Sequence, residues 1–294
     1  MSQLPSSISL TNQGQPILEV DNASATARIS LFGGHVLSFI PKHDGRERLW
    51  LSEKAIWDGS KPIRGGTPVC WPWFGTYKED GARKGDGSDS HSYPSHDYPS
   101  HGYVRTRMWS CLEAIDEDDA TLIALTPFSS VGEGFSGQAS VSLLIRVGSD
   151  LTIQLCTKNI GSEPFTYTNA LHTYFNISDI NQTELLGLSG DYADKPSNFA
   201  IMQTPILYAF SEETDRIHLN PVEKVAIQEP GAMTEIKSRG HDSIVVWNPW
   251  KELSESMADM PDDGYQNMLC VETAITQGML LQPEESHLME QIII

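Results

Sequence analysis

Cysteine, basic residues and long apolar runs are all scarce in this chain, and each shortage excludes something. Its four cysteines, Cys70, Cys111, Cys156 and Cys270, are scattered along 294 residues and form no CxxC pair. That pattern offers neither a disulfide framework nor a cysteine-based zinc site, and it predicts reduced thiols in a cytoplasmic protein. Lys and Arg total 20 against 39 Asp and Glu, a formal charge of −19. Such a chain repels phosphate backbones, so nucleic acid is excluded as a partner. An anionic small molecule stays admissible only if a few arginines build a local positive pocket. No stretch approaches the roughly 18 apolar residues of a membrane span. The N-terminus MSQLPSSISLTNQGQPILEV has no basic start followed by an apolar run, so no signal peptide is expected.

Helical periodicity is equally hard to find, whereas period-2 alternation recurs. In LTIQLCTKN, Leu151, Ile153 and Leu155 alternate with Thr152, Gln154 and Cys156, as a half-buried strand requires. SVSLLIRV precedes it as a hairpin partner across Gly-Ser-Asp at 148–150. ATARISLF, TLIALTPF, IVVWNP and MLCVETA are further short strands bounded by Gly, Pro, Asn and Asp. With hydrophobic residues at 39% and aromatics at 9%, the chain can bury a sizeable core. The expectation is an all-β protein, one antiparallel sandwich domain over residues 1–294. Residues 76–100, TYKEDGARKGDGSDSHSYPSHDYPS, nearly lack aliphatics and read as an exposed inserted loop. Within it Tyr-Pro-Ser-His occurs twice, ending at His96 and His101, with His91 just ahead. Three histidines in a Gly/Ser-rich setting lack the rigid scaffold of a metal site.

Several stretches could carry chemistry. GEGFSG, residues 132–137, has the GxGxxG spacing, but a strand-like QASVSLLIRV follows it where a dinucleotide site needs a helix, so it reads as a turn. In IRGGTPVCWPWFG, residues 63–75, the two glycines permit close backbone approach. Arg64 beside them needs an anionic partner, either a structural carboxylate or a substrate phosphate. In HGYVRTRMW, Arg105 and Arg107 alternate about Thr106 and would share one face of a strand, as phosphate ligands or as a surface salt-bridge ladder. In FTYTNALHTYFNISD, an extended chain puts His172 with Thr166, Thr168, Ala170 and Tyr174 on one face. Small polar neighbours there would let His172 line a groove and transfer protons near neutral pH. Glu272 interrupts the apolar run NMLCVETA. Either the strand ends there, or the carboxyl points into a pocket that raises its pKa towards a useful general base.

Taken in order, RGGTPVCWPWFG, PSHGYVR, ALHTYFNISDI, WNPW, MADMPDDGY and CVETA resemble the hexose-6-phosphate mutarotases (glucose-6-phosphate 1-epimerases) of the aldose 1-epimerase superfamily. The resemblance runs from about residue 15 almost to the C-terminus. It implies the galactose-mutarotase-like β-supersandwich, and a reaction that interconverts α and β anomers by opening a cyclic hemiacetal. It assigns Glu272 as the base on the O1 hydroxyl and His172 as the acid on O5. Arg64 and Arg105 would hold phosphate, His101 would line the sugar site, and Asp215 in EETDRIHL would contact sugar hydroxyls. Arg107 has no family counterpart. Neither a metal nor an organic cofactor is implied, and a monomer acting on a small phosphorylated sugar is expected. An aldose 1-epimerase of free sugars, or a non-catalytic carbohydrate-binding protein, would be the alternatives. The chain departs from the family in the length of the 76–100 segment, where Lys78, Arg83 and Lys84 read as solvated charge.

Overall fold

A computed structural model describes residues 4–77 and 98–294. His91, His96, Lys78, Arg83 and Lys84, and with them most of the segment expected to be an inserted loop, lie outside the described residues. Within those residues the chain forms three antiparallel sheets of four, eight and nine strands. Helix is confined to one seven-residue segment, Trp250–Ser256, and three 3-10 turns.

The alternation of polar and apolar residues translates directly into strands. Leu151–Asn159 alternates buried and half-buried along its whole length and pairs with Ala139–Val147 through the Gly-Ser-Asp connection. Both belong to the nine-stranded sheet, which the C-terminal strand Ser286–Ile293 enters between Leu151–Asn159 and Ala232–Arg239. GEGFSG is a glycine turn, with Gly134 at φ 83° and the strand from Ala139 after it.

The eight-stranded sheet positions the chemistry. At its centre lies Met268–Leu281, fourteen residues long and buried continuously from Met268 to Thr276. It is flanked by Ser243–Asn248 on one side and by Phe165–Leu171 and Tyr174–Asn176 on the other. Successive side chains point to opposite faces. Val69, Leu171, Ile244, Val246, Leu269 and Val271 thus join the main hydrophobic core. The opposite face carries Cys70, Ala170, Ile217, Val245 and Ala274, a second, smaller apolar cluster. Tyr174 pairs with Cys270, Cys270 with Trp247, and Trp247 with Asp215, so these four form one row across the sheet on that second face. Glu272, two residues beyond Cys270, shares the face.

Arg105 and Arg107 do not sit on a strand. Val104–Thr106 is a 3-10 turn, and the next strand begins only at Trp109. Val104 buries its side chain from within the turn, and the arginines and threonine that follow it hold no apolar residue to extend a strand.

Candidate active site

Phe165–Leu171 stops one residue short of His172, and the sheet resumes at Tyr174. The interruption leaves His172 at the sheet surface, its backbone N–H donating to the Pro68 carbonyl at 3.0 Å. Its imidazole stacks on the Tyr174 ring, centroids 5.0 Å apart at 13°, with the Trp247 ring edge-on at 6.1 Å. An aromatic box thus forms on the expected face, with Tyr174 two residues on and Trp247 from Ser243–Asn248. The strand break preserves the facing, since Ala170 pairs with Ala274 and Tyr174 with Cys270.

Glu272 does not reach solvent. It is 1% exposed, and its Oε1 lies 3.3 Å from His172 Nε2. Burial pushes the Glu272 carboxyl well above its usual range, while Lys195 and Arg105 oppose that push and Asp215 adds to it. Burial likewise pushes His172 well below its usual range, helped by His101, Arg105 and Arg64. One proton shared between Nε2 and Oε1 therefore serves both groups.

His101 stands 5.4 Å from His172, ring to ring. It takes a left-handed backbone, φ 62°, and is followed by Gly102 at φ 70°, where a Cβ would come within 2.0 Å of the Trp71 carbonyl oxygen. The His-Gly pair is thus the tight turn that folds residues 98–103 back onto the Trp71 segment. The Gly75 N–H donates to His101 Nδ1 at 3.2 Å, which places the proton of the neutral ring on Nε2. Burial and Arg105 hold this histidine well below its ordinary pKa, so it acts as a neutral donor.

Three cationic side chains surround these groups. Arg64 donates from Nη1 to the Tyr174 hydroxyl at 3.0 Å and pairs through Nη2 with Asp259 at 3.2 Å. The adjacent Gly66 lets the turn approach closely, since a Cβ there would meet the Val36 carbonyl oxygen at 2.3 Å. Arg105 donates to the Ser100 carbonyl at 2.6 Å, and its charge bears on His101, His172 and Glu272. Lys195 pairs with Asp215 at 2.9 Å and lies over the Phe74 ring. The structure therefore gathers all six residues singled out from the sequence, Arg64, His101, Arg105, His172, Asp215 and Glu272. Arg107 goes elsewhere: it stacks on Tyr103 and donates to the carbonyls of Ser129 and Val131.

Among the described residues, four buried polar atoms here find no partner, namely Arg64 Nε, Arg105 Nε, His172 Nδ1 and Glu272 Oε2. Unsatisfied buried polar atoms are costly, and their convergence marks a place that a polar ligand completes. A groove of about 780 Å³ adjoins them at His101, Lys195 and Asp215, walled by Trp73, Phe74 and Phe135. It does not extend over His172 or Glu272, so this groove lies beside the buried His172–Glu272 pair rather than on it. His172, Cys270 and Glu272 also place donor atoms within 4.8 Å of one another.

Lys195 and Asp259 escaped the reading of the sequence, as did the bond from Arg64 to Tyr174. Lys195 follows the strand Asp191–Asp194 in a polar loop with nothing to distinguish it from surface lysines. Asp259 had a signal, since it lies in the MADMPDDGY motif, and the search for an anionic partner of Arg64 leads to it.

Comparison with known proteins gives the family and the fold. Residues 16–293 match the aldose 1-epimerase family. A relative from Escherichia coli (strain K12), named "Putative glucose-6-phosphate 1-epimerase", is 33% identical over 264 residues, 88% of this chain and 82% of its own. A relative of the same name from Cenchrus ciliaris is 32% identical over 280 residues, 88% of this chain and 78% of its own. The crystal structure of a "putative mutarotase" from Salmonella typhimurium superposes with a TM-score of 0.86 at 28% identity, covering 100% of this chain and 95% of that one.

Proposed function

The chain belongs to the aldose 1-epimerase family, and from that premise we propose that its substrates are hexose 6-phosphates, glucose 6-phosphate foremost. The family makes it an isomerase that interconverts the α and β anomers of a sugar. The observation that carries the assignment of roles is the 3.3 Å contact between His172 Nε2 and Glu272 Oε1. O1 and O5 of a pyranose are both bonded to C1, so a base for one and an acid for the other must be close neighbours. Glu272 takes the O1 proton while His172 gives one to O5, and the C1–O5 bond breaks. The aldehyde turns about C1–C2, and reclosure from either face returns both protons. The state that opens the ring has His172 protonated and Glu272 ionised, and the Lys195 and Arg105 charges favour that ionised carboxylate against burial.

Phosphate recognition is supported by charge. In a chain of formal charge −19, Arg64, Arg105 and Lys195 gather three cations at this one place, beside Asp215 and Asp259. Arg64 Nε and Arg105 Nε are buried donors lacking an acceptor among the described residues, suited to phosphate oxygens. Free sugars are the second reading, favoured by one fact: Arg64 is already engaged by Asp259 and Tyr174. The cytoplasm is the setting we propose, since all four cysteines are free thiols.

The test is α-to-β exchange of glucose 6-phosphate followed by NMR. Wild type accelerates it, and Glu272→Gln and His172→Asn each lower the catalysed rate by about 10²–10⁴. No acceleration by wild type would refute the assignment. Arg64→Ala raises KM for glucose 6-phosphate far more than for glucose; equal effects would favour the free-sugar reading.

A further inference from the structure

The sheet brings a thiol up against the proton-transfer pair, and the proposed chemistry leaves it unused. Cys270 and Glu272 lie two residues apart on Met268–Leu281 and so share a face. Tyr174, the cross-strand partner of Cys270, carries the His172 ring stacked on its own. The thiol sulfur, one imidazole nitrogen and one carboxylate oxygen all fall within 4.8 Å of one another. All three residues are buried, yet Glu272 Oε2 and His172 Nδ1 have no hydrogen-bond partner among the described residues.

We propose that His172, Cys270 and Glu272 form a binding site for a thiophilic divalent cation, zinc in particular, whose occupancy blocks the isomerase. The inhibitory consequence rests on the reading of His172 and Glu272 as the acid/base pair; the binding itself does not. Ligand atoms around one tetrahedral zinc stand roughly 3.3–3.6 Å apart, given Zn–S of about 2.3 Å and Zn–N or Zn–O of about 2.0 Å. His172 and Glu272 are at that spacing already, at 3.3 Å. Nitrogen, sulfur and oxygen in a three-protein-ligand set suit zinc and leave the fourth position for water or a sugar hydroxyl. Magnesium and calcium prefer all-oxygen shells and find none here. On binding, Zn–S, Zn–N and Zn–O bonds form, the thiol proton leaves to solvent, and so does the proton the pair shares. With Nε2 and Oε1 engaged, neither can exchange a proton with O5 or O1. Of the other three thiols, Cys111 and Cys156 stand apart on the nine-stranded sheet, and Cys70, fully buried on the same face as Cys270, is not part of the His172–Cys270–Glu272 group.

Two measurements on the full-length protein decide the matter. The first is a titration with Co²⁺, a spectroscopic stand-in for zinc, in phosphate-free neutral buffer. Wild type gives a thiolate-to-cobalt charge-transfer band at one equivalent, and Cys270→Ser lacks it. The second is zinc inhibition of glucose 6-phosphate anomer exchange. EDTA reverses it, and in Cys270→Ala, with uninhibited exchange retained, half-inhibition needs about tenfold more zinc or higher. Absence of the band in wild type, its persistence in Cys270→Ser, or equal zinc sensitivity in the alanine variant each overturns the proposal. The wild-type titration is decisive even if a variant does not fold. If EDTA-treated wild type fails to accelerate exchange, the isomerase reading falls, while the cobalt band still reports whether the metal site exists.

Discussion

At the scale of single residues, the informative positions were those whose chemistry clashed with their surroundings. Glu272 inside NMLCVETA and Arg64 among glycines and tryptophans both pointed to a buried polar requirement, and both meet one here. What the sequence could not show was which partner answers it. Arg64 meets Tyr174 and Asp259, residues 110 and 195 positions away along the chain. Period-2 counting puts Tyr174 beside His172, as found, but it cannot supply Trp247 and Glu272, which come from other strands of the sheet. Tyr174 now has a defined duty, since its hydroxyl fixes one arm of the Arg64 guanidinium while its ring holds His172. A hydrogen bond to a charged group contributes about 1.5–3 kcal/mol. Tyr174→Phe keeps the ring and loses the hydroxyl, so KM for glucose 6-phosphate should rise about tenfold, with kcat nearly unchanged. Steady-state exchange rates at varied substrate check this. A fall in kcat at constant KM would mean that the hydroxyl serves proton transfer instead.

At the scale of elements, strands with clean alternation were legible and the connections between them were not. Leu151–Asn159 and Ala139–Val147 follow their patterns throughout. Met268–Leu281 was visible only in its MLCVETA half, because beyond Thr276 the burial pattern turns irregular and Gly278 takes φ 99°. The turn Val104–Thr106 was mistaken for strand because sparse alternation of polar residues mimics one. The His101–Gly102 turn is the connection on which the site most depends. Left-handed backbone costs a non-glycine residue about 1–3 kcal/mol, and at Gly102 the Trp71 carbonyl stands in the way as well. Gly45 has a similar φ, 67°, with nothing within 4 Å of its Cβ position. Gly102→Ala should therefore lose at least about 2 kcal/mol more stability in urea than Gly45→Ala. Equal losses would mean that backbone conformation alone governs this turn.

At the scale of the whole molecule, the all-β class was readable but the sheet order was not, because partners lie far apart in sequence. Ser286–Ile293 pairs with Leu151–Asn159, and Gln154 bonds Glu290 across 136 positions. No local signal encodes such a pairing; it follows from burying both strands' apolar faces in one core. The same deep burial makes the fold sensitive to acid. His35 and His218 are 1% and 0% exposed, and burial, above all, lowers each from 6.5 to about 4. Their folded pKa values lie below the unfolded ones, so between pH 6.5 and 4 the unfolded chain binds more protons and stability falls as pH falls. Each histidine contributes a loss of up to about 3 kcal/mol, complete only below pH 4. Half-buried carboxyls held above their usual range, Glu47 and Asp215, pull the other way, and so does relief of repulsion in a chain of charge −19. That repulsion is spread over the surface and screened over about 8 Å at physiological salt, so it weighs less than the loss at two fully buried imidazoles. The contribution of His218 can be separated by difference. Its ring meets Tyr208 and Thr204, and His218→Gln retains a hydrogen-bonding side chain that cannot titrate. Urea unfolding at 0.15 M salt should show wild type losing about 2–3 kcal/mol more than His218→Gln between pH 7 and pH 4.5. Parallel curves for the two proteins would mean that His218 is protonated as easily in the fold as in water.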